Sequence, residues 1–550
     1  MRIEGLRSFF SSFTGLVACL REKKRKPCKW LDPVIAMMLA ALTLLFSVMY
    51  LDAGHGWGDD QAAYLTTAFA IADGRIEEQN KINLFMHPMK GNTQERAYVW
   101  GYPLMLIPIY KLFGFNRDTY STVVYYKLPG CLCMALLAGI LYLFYRRRFS
   151  RLTSMLLTAA LVFSVGLFPQ VNNLYTDVPF LAFTMLSLYL AEAFWQQERT
   201  GCKLLLGILL GVSLWATYVI RLNGPLTLAA VALGHGLYQL RRRRFDRWLL
   251  QLFPYFFFGG ILFLSYKLLP VPTSNSSDLG KITLAGIGYN LQYYDVLLQE
   301  WGATLFSGLP LFRYEGTWLV LLIASLIGFW FHKDEAHLFF FGAATFAGCC
   351  ILDYQQGLRY LYPMLPVLLL LASHGFIALT RLLEKHVWRC KAQPALRRAG
   401  RCLGIAALCS VLAVTTCTCI TRYRQRGQAL PDTDSYSTEA IDLYHFIQQK
   451  TPEDSVIAAT KCRAIYLNTG RIGFRPQVAT DVWPHPFLPY QEERVDLAIA
   501  DYVLMNHDEF EPEQLQYLLA EYHGSYTLKL VYQNRLYSLY QRVSVMGEEA

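Results

Sequence analysis

About eleven stretches of this chain are apolar over a length that approaches or meets the roughly 20 residues a membrane-spanning helix needs, and nothing else in it restricts the fold so severely. They lie at 31–51, 128–145, 152–169, 178–195, 203–220, 223–240, 248–269, 317–331, 337–352, 360–380 and 402–421, with 317–331 and 337–352 the shortest. The 550 residues are 54% hydrophobic and only 17% charged, the balance of a polytopic membrane protein. The expected fold is mainly α, a helical bundle in the membrane.

Basic loops stay cytoplasmic, so the positions of Lys and Arg orient the bundle. The clusters Arg21 to Lys26, Arg146 to Arg151, Arg241 to Arg247, the Lys203 neighbourhood and Arg381 to Arg401 all fall on one side. The N-terminus is then inside and everything after about residue 422 outside. The formal charge of +10 is mostly this orientation signal, and nucleic acid is not an expected partner. Residues 8–20 are apolar, but Arg21 to Lys26 follows them with no small-residue cleavage site. They are read as cytosolic.

Three domains are expected: a cytosolic segment at 1–30, a transmembrane domain at 31–421 with a large first outer loop at 52–127, and an outer α/β domain at 422–550. In the tail, Ser437-Thr438-Glu439 caps a helix running to about Gln449. Strands are expected at Ser455 to Ala459 and Tyr502 to Met505, a helix at Glu513 to Tyr522, and a hairpin turning about Gln533-Asn534 between Tyr526 to Tyr532 and Leu536 to Arg542. In the first outer loop, Gly101 to Phe113 is apolar but too short to span and carries Pro103 and Pro108. It should lie along or dip into the interface. The thirteen cysteines sit almost entirely in spans or on the inner side, so no disulfide framework or CxxC metal site is expected.

Chemistry points to the outer face. Asp59 and Asp60 stand just beyond the first span, in Gly58-Asp59-Asp60-Gln61-Ala62-Ala63-Tyr64-Leu65. Asp177 stands at the start of another span. Ionisable residues avoid the middle of the spans, where an ion relay would need them, and no internal repeat is evident. Both facts weigh against a transporter.

Several segments resemble the GT-C glycosyltransferases, the superfamily of protein O-mannosyltransferases and the lipid A aminoarabinose transferase. Asp60-Gln61-Ala62-Ala63-Tyr64-Leu65 with Ala68, Ala70 and Gly74 is similar to their first outer loop, and Trp100-Gly101-Tyr102-Pro103-Leu104 with Pro108 to their Tyr-Pro-rich re-entrant segment. Tyr175-Thr176-Asp177-Val178-Pro179 resembles their second acidic loop. Arg359-Tyr360, leading to Pro363 and Pro366, resembles their late Arg-Tyr-x-x-Pro helix start. The resemblance runs over most of the length and includes Ile457 to Arg471 in the tail. Where many relatives have Asp-Glu, this chain has Asp59-Asp60 or Asp60-Gln61, so either acid is a candidate for the matching position.

The resemblance implies transfer of a sugar from a polyprenyl-phosphate donor to an acceptor on the extracytoplasmic face, with inversion of the anomeric centre. Asp60, or Asp59, would be the base that takes the acceptor proton. Asp177 would orient the acceptor, hold a divalent cation or bridge loops. The leaving phosphate calls for cations near the membrane surface, from Lys90, Arg221 and Arg359, with His87 and Lys281 weaker candidates. Tyr64 and Tyr102 are candidate substrate contacts. Metal dependence stays open: Mg, Mn or Zn could sit at Asp60 and Asp177. The acceptor is a glycan, a lipid or a protein. Placement in a bacterial cell membrane is favoured, since Gly547-Glu548-Glu549-Ala550 is no endoplasmic-reticulum retention signal. Two alternatives remain: a lipid or oligosaccharide transporter, and a polymerase or ligase acting on a lipid-linked glycan.

Overall fold

Each apolar run is helical in the computed structural model, which describes residues 30–52, 58–86, 99–117, 120–242, 248–269, 283–304, 317–351, 357–383, 394–425, 436–474, 500–507 and 527–543. Water is absent from a bilayer core, so a spanning segment must satisfy its backbone groups internally, and the α-helix does this. Among the described residues, seven helices are long and apolar enough to cross: Leu31–Tyr50, Val123–Arg146, Asp177–Gln196, Thr200–Ile220, Trp248–Leu268, Leu365–Leu382 and Cys402–Arg424. Arg151–Val162 and Trp318–Phe331 are shorter apolar helices. Gly224–Arg242 and Ala336–Ile351 complete the bundle.

Two boundaries differ from the sequence expectation. The run at 152–169 is helical only to Val162, after which the chain turns and forms a 3-10 segment at Phe168–Asn172 containing Pro169. Hydropathy continues past the point where the backbone stops being α. The late run begins with a 3-10 turn, Leu358–Leu361, and becomes α only at Leu365. Gly357 precedes that turn with φ +68°, a left-handed conformation glycine adopts without strain.

Large side chains such as Met37, Met38, Phe256, Phe263 and Trp330 face outward, as a bundle solvated by lipid requires. At the basic end the arginines do more than mark orientation. Arg146 and Arg151 donate to Asp32 at 3.2 and 2.6 Å, and Arg148 bridges Glu192 and Glu335 at 2.5 Å each. The cluster thus ties Leu31–Tyr50 to Val123–Arg146 and Arg151–Val162, and the turn between those two to Asp177–Gln196 and to the 3-10 turn Lys333–Glu335 that leads into Ala336–Ile351.

At the opposite end stands a second layer. The helix Gly58–Ala72 is followed by Ile76–Met86 and by Gly101–Phe113, the latter with the bounds expected for the interfacial segment. The tail forms a five-stranded sheet of order β2-β1-β3-β5-β4, where β1 is Val456–Ala458, β2 Ile472–Phe474, β3 Tyr502–Asn506, β4 Thr527–Gln533 and β5 Tyr537–Val543. β1 is parallel to β2 and β3, while β5 runs antiparallel to β3 and β4. The hairpin turns where the sequence placed it, because the Asn534 side chain accepts from the amides of Leu536 and Tyr537 at 3.0 and 2.8 Å. The helix Thr438–Lys450 is capped by Ser437, whose side chain accepts from the Ala440 amide. The helix expected at Glu513 to Tyr522 lies outside the described residues.

The sheet does not stand apart from the membrane domain. Tyr120 and Val123, at the start of the helix Val123–Arg146, share a core with Leu443, Ile447, Ile457 and Leu539 of the tail. Ala464 and Leu467 pack with Ala62, Leu65 and Leu106.

Candidate functional site

The acid helix Gly58–Ala72 opens with Asp59 and Asp60 in its first turn, where the positive end of the helix dipole favours carboxylates. Neighbours on a helix point about 100° apart, so the two acids face different surroundings. Asp59 turns toward the tail, and its side chain is 9% exposed. Asp60 shares a face with Tyr64, one turn on, and its side chain remains 42% exposed although it lies well inside the folded mass.

Asp177 and Arg221 meet through a helical hairpin. Asp177 is the first residue of Asp177–Gln196, the chain reverses at 197–199, and Thr200–Ile220 returns to the same end. Arg221 follows in an extended conformation that ends the helix, and its guanidinium donates to Asp177 Oδ1 at 2.6 Å. Both side chains are deeply buried. Arg221 also stacks on the Tyr360 ring at 4.2 Å. Gly101 permits this arrangement: a Cβ there would come within 2.5 Å of the Val219 carbonyl, so the helix Gly101–Phe113 sits directly against the last turn before Arg221.

Arg359 reaches the same place from the 3-10 turn Leu358–Leu361. Its guanidinium lies 4.9 Å from the Tyr175 ring and 5.6 Å from that of Tyr360. The turn is braced from a helix not anticipated in the sequence, Leu284–Thr304, whose Tyr293 hydroxyl accepts from the Gly357 amide at 3.1 Å.

Electrostatic coupling ties the group together. Burial raises the Asp60 pKa above the ordinary aspartate value, Asp59 and Asp177 add to the rise, and Arg463 and Arg359 oppose it. Tyr64 senses Asp60, Asp177 and Arg221, and its hydroxyl is held well above its usual range by burial. Tyr175 senses Arg359, Asp60 and Asp177. Five separated segments therefore converge on one cluster at the acid end of the bundle.

Of the residues singled out in the sequence, Asp59, Asp60, Tyr64, Asp177, Arg221 and Arg359 gather here. Tyr102 is fully buried and meets Tyr64 edge-on at 5.4 Å, which makes it part of the packing beneath the cluster. Lys90, His87 and Lys281 lie outside the described residues. The sequence reading missed Arg463, which salt-bridges Asp59 at 3.2 Å and approaches Asp60 at 3.6 Å. Its signal was faint: one arginine at the start of an eight-residue tail helix, Cys462–Thr469.

For a metal, the donors fit poorly. Among the described residues no group of three or more His, Cys, Asp or Glu side chains is arranged to hold one. Asp177 carries a guanidinium at 2.6 Å, and Asp60 has another within 3.6 Å. The acids of this cluster are compensated by arginines.

Residues 103–265 match the sequence model of the dolichyl-phosphate-mannose-protein mannosyltransferase family. That segment contains Asp177 and Arg221, begins after Asp60 and ends before Arg359. Likeness of fold extends much further. The crystal structure of ArnT from Cupriavidus metallidurans bound to undecaprenyl phosphate is similar with a TM-score of 0.54 at 14% identity, over 92% of this chain and 97% of that one. The apo state of the same protein gives 0.50 at 12% identity, with the same coverage. No curated protein is close enough in sequence to count as a relative.

Proposed function

This is a multi-pass membrane protein with the ArnT-like fold of the GT-C glycosyltransferases, and from that premise we propose that it transfers a sugar from a polyprenyl-phosphate donor to an acceptor hydroxyl at the extracytoplasmic face. The observation that carries this reading is the convergence of Asp60, Tyr64, Asp177, Arg221 and Arg359 at one end of a bundle whose fold is shared with an undecaprenyl-phosphate-binding protein.

In the proposed reaction, Asp60 accepts the proton of the acceptor hydroxyl as its oxygen attacks the anomeric carbon. The bond from that carbon to the donor phosphate breaks, and its electron pair leaves on the polyprenyl phosphate. Direct displacement inverts the anomeric centre. Arg359 meets the developing phosphate charge, acting from a preorganised site where no reorganisation is needed at the moment of reaction. Arg221 serves by holding Asp177 and packs on the same Tyr360 ring that Arg359 approaches. Asp177 orients the acceptor. Asp59 is the weaker candidate for base because Arg463 occupies both of its oxygens.

No step here needs a divalent cation, since the arginines already supply the positive charge. The test is turnover by the full-length protein in nanodiscs with a panel of undecaprenyl-phosphate-linked sugars, read as released undecaprenyl phosphate by mass spectrometry. Release from at least one sugar, undiminished by EDTA, is the expected result. A loss of turnover in EDTA that Mg, Mn or Zn restores would overturn the arginine-only account of charge compensation.

A further inference from the structure

We propose that Arg463 is a positioning residue for the acid pair, through which the tail domain completes the site assembled in the membrane domain. This rests on the functional reading above and adds to it a role for a residue 404 positions away from Asp59 in the chain.

The geometry is specific. The Arg463 amide donates to Asp59 Oδ1 at 3.0 Å, and its guanidinium meets Asp59 Oδ2 at 3.2 Å. Both Asp59 oxygens are therefore fixed by one residue. The same guanidinium nitrogen lies 3.6 Å from Asp60 Oδ1, a longer contact that biases Asp60 without enclosing it. Arg463 is 5% exposed, and burying a guanidinium is costly unless acids compensate it. Its acids belong to a different part of the molecule, so the tail helix stays buried as it is only while docked on the acid helix.

Further contacts fix that docking around the ion pair. Ala464 and Leu467 share a core with Ala62 and Leu65. The Cys462 thiol points at the Met86 carbonyl at 3.6 Å, and Arg117 donates to the Leu467 carbonyl at 2.9 Å. A helix held on three sides presents its arginine at one place. The consequence is a division of labour, with Asp59 as the anchor and Asp60 as the acid left to meet an acceptor.

Asp60 is faced by Asp59 and Tyr64 of its own helix, by Arg463 from the tail, by Arg359 from the late 3-10 turn, and by Tyr175 and Asp177 from the second acidic loop. Arg463 is the largest of the influences favouring its ionised form. A base must be ionised to act, so removing that cation moves the acid limb of the rate profile to higher pH.

The experiment compares wild type, Arg463→Gln and Arg463→Lys as full-length proteins in nanodiscs, measuring kcat and donor KM against pH together with thermal unfolding. For Arg463→Gln the expected result is a kcat about 10- to 100-fold lower, as for a misplaced reacting group, with donor KM within about twofold. Its acid limb moves to higher pH, because losing an opposite charge disfavours the ionised carboxylate. Arg463→Lys keeps the charge and loses the fork, so its acid limb stays in place while kcat falls several-fold. Wild-type kcat in either variant overturns the proposal, as does a Gln variant that loses thermal stability and activity with no change in the limb. Wild-type protein that consumes no donor removes the catalytic reading and this inference with it; wild-type turnover beside an unaltered Gln variant removes this inference alone.

Discussion

Asp59 and Asp60 are adjacent in the chain yet are set apart by what each meets. Asp59 is enclosed by the tail, whereas Asp60 looks toward Tyr64, Arg359 and Asp177. Asp60→Asn removes the base while keeping the shape, so kcat should fall by about 10²- to 10⁴-fold with binding of undecaprenyl phosphate retained. Because burial holds the Asp60 carboxyl above its ordinary value of 3.8, wild-type turnover should decline on acidification at a pH above that value. The two outer arginines should separate by experiment. Arg359→Ala should weaken undecaprenyl phosphate binding with little loss of melting temperature. Arg221→Ala strands the buried Asp177 charge and should cost about 3–5 kcal/mol in stability, the usual result of breaking a buried pair. Asp60, Asp177, Arg221 and Arg359 were legible in the sequence because each stands at the end of an apolar run, where charge is conspicuous. Arg463 was not, since an arginine in a polar tail looks like any solvated side chain until the tail is docked.

The elements that build the site owe their form to two devices, the hairpin return and the close approach. Asp177 and Arg221 come together because helices of nearly equal length are joined by a short turn, so that the start of one and the end of the next share a level. Gly101 lets the interfacial helix press on that level. Gly101→Ala places a methyl group against the Val219 carbonyl and should cost about 1–3 kcal/mol. A lower melting temperature together with reduced turnover would show that the displacement reaches Arg221. The interfacial helix could be anticipated from its prolines and its length. The helix Leu284–Thr304 could not be read from hydropathy, because Asn290, Gln292, Asp295 and Gln299 interrupt its apolar positions and only a helical period would have joined them. Strand β2 did not register, since Ile472-Gly473-Phe474 sets a glycine, a poor strand former, between its two apolar residues.

At the scale of the molecule, the apolar runs are helical and the strands and terminal hairpin expected in the tail are present, because lipid permits few backbone solutions and the hairpin strands alternate. What the sequence concealed was the contact between them. A chain read as a membrane domain followed by an outer domain proves to share one core across that division, from Tyr120 and Val123 to Ile457 and Leu539. The orientation expected from the basic clusters is open to a direct check. Alkaline phosphatase fused after residue 550 should be active, and the same enzyme inserted between residues 243 and 247 should be inactive; the reverse pattern would put the acid cluster on the cytoplasmic side. The measurement that tests the central claim most directly is release of undecaprenyl phosphate from its sugar-linked form by wild-type protein and by Asp60→Asn in nanodiscs, with binding of undecaprenyl phosphate followed in parallel. Release by the wild type, almost none by the variant, and equal binding by both are expected. Near-normal release by Asp60→Asn would contradict that claim.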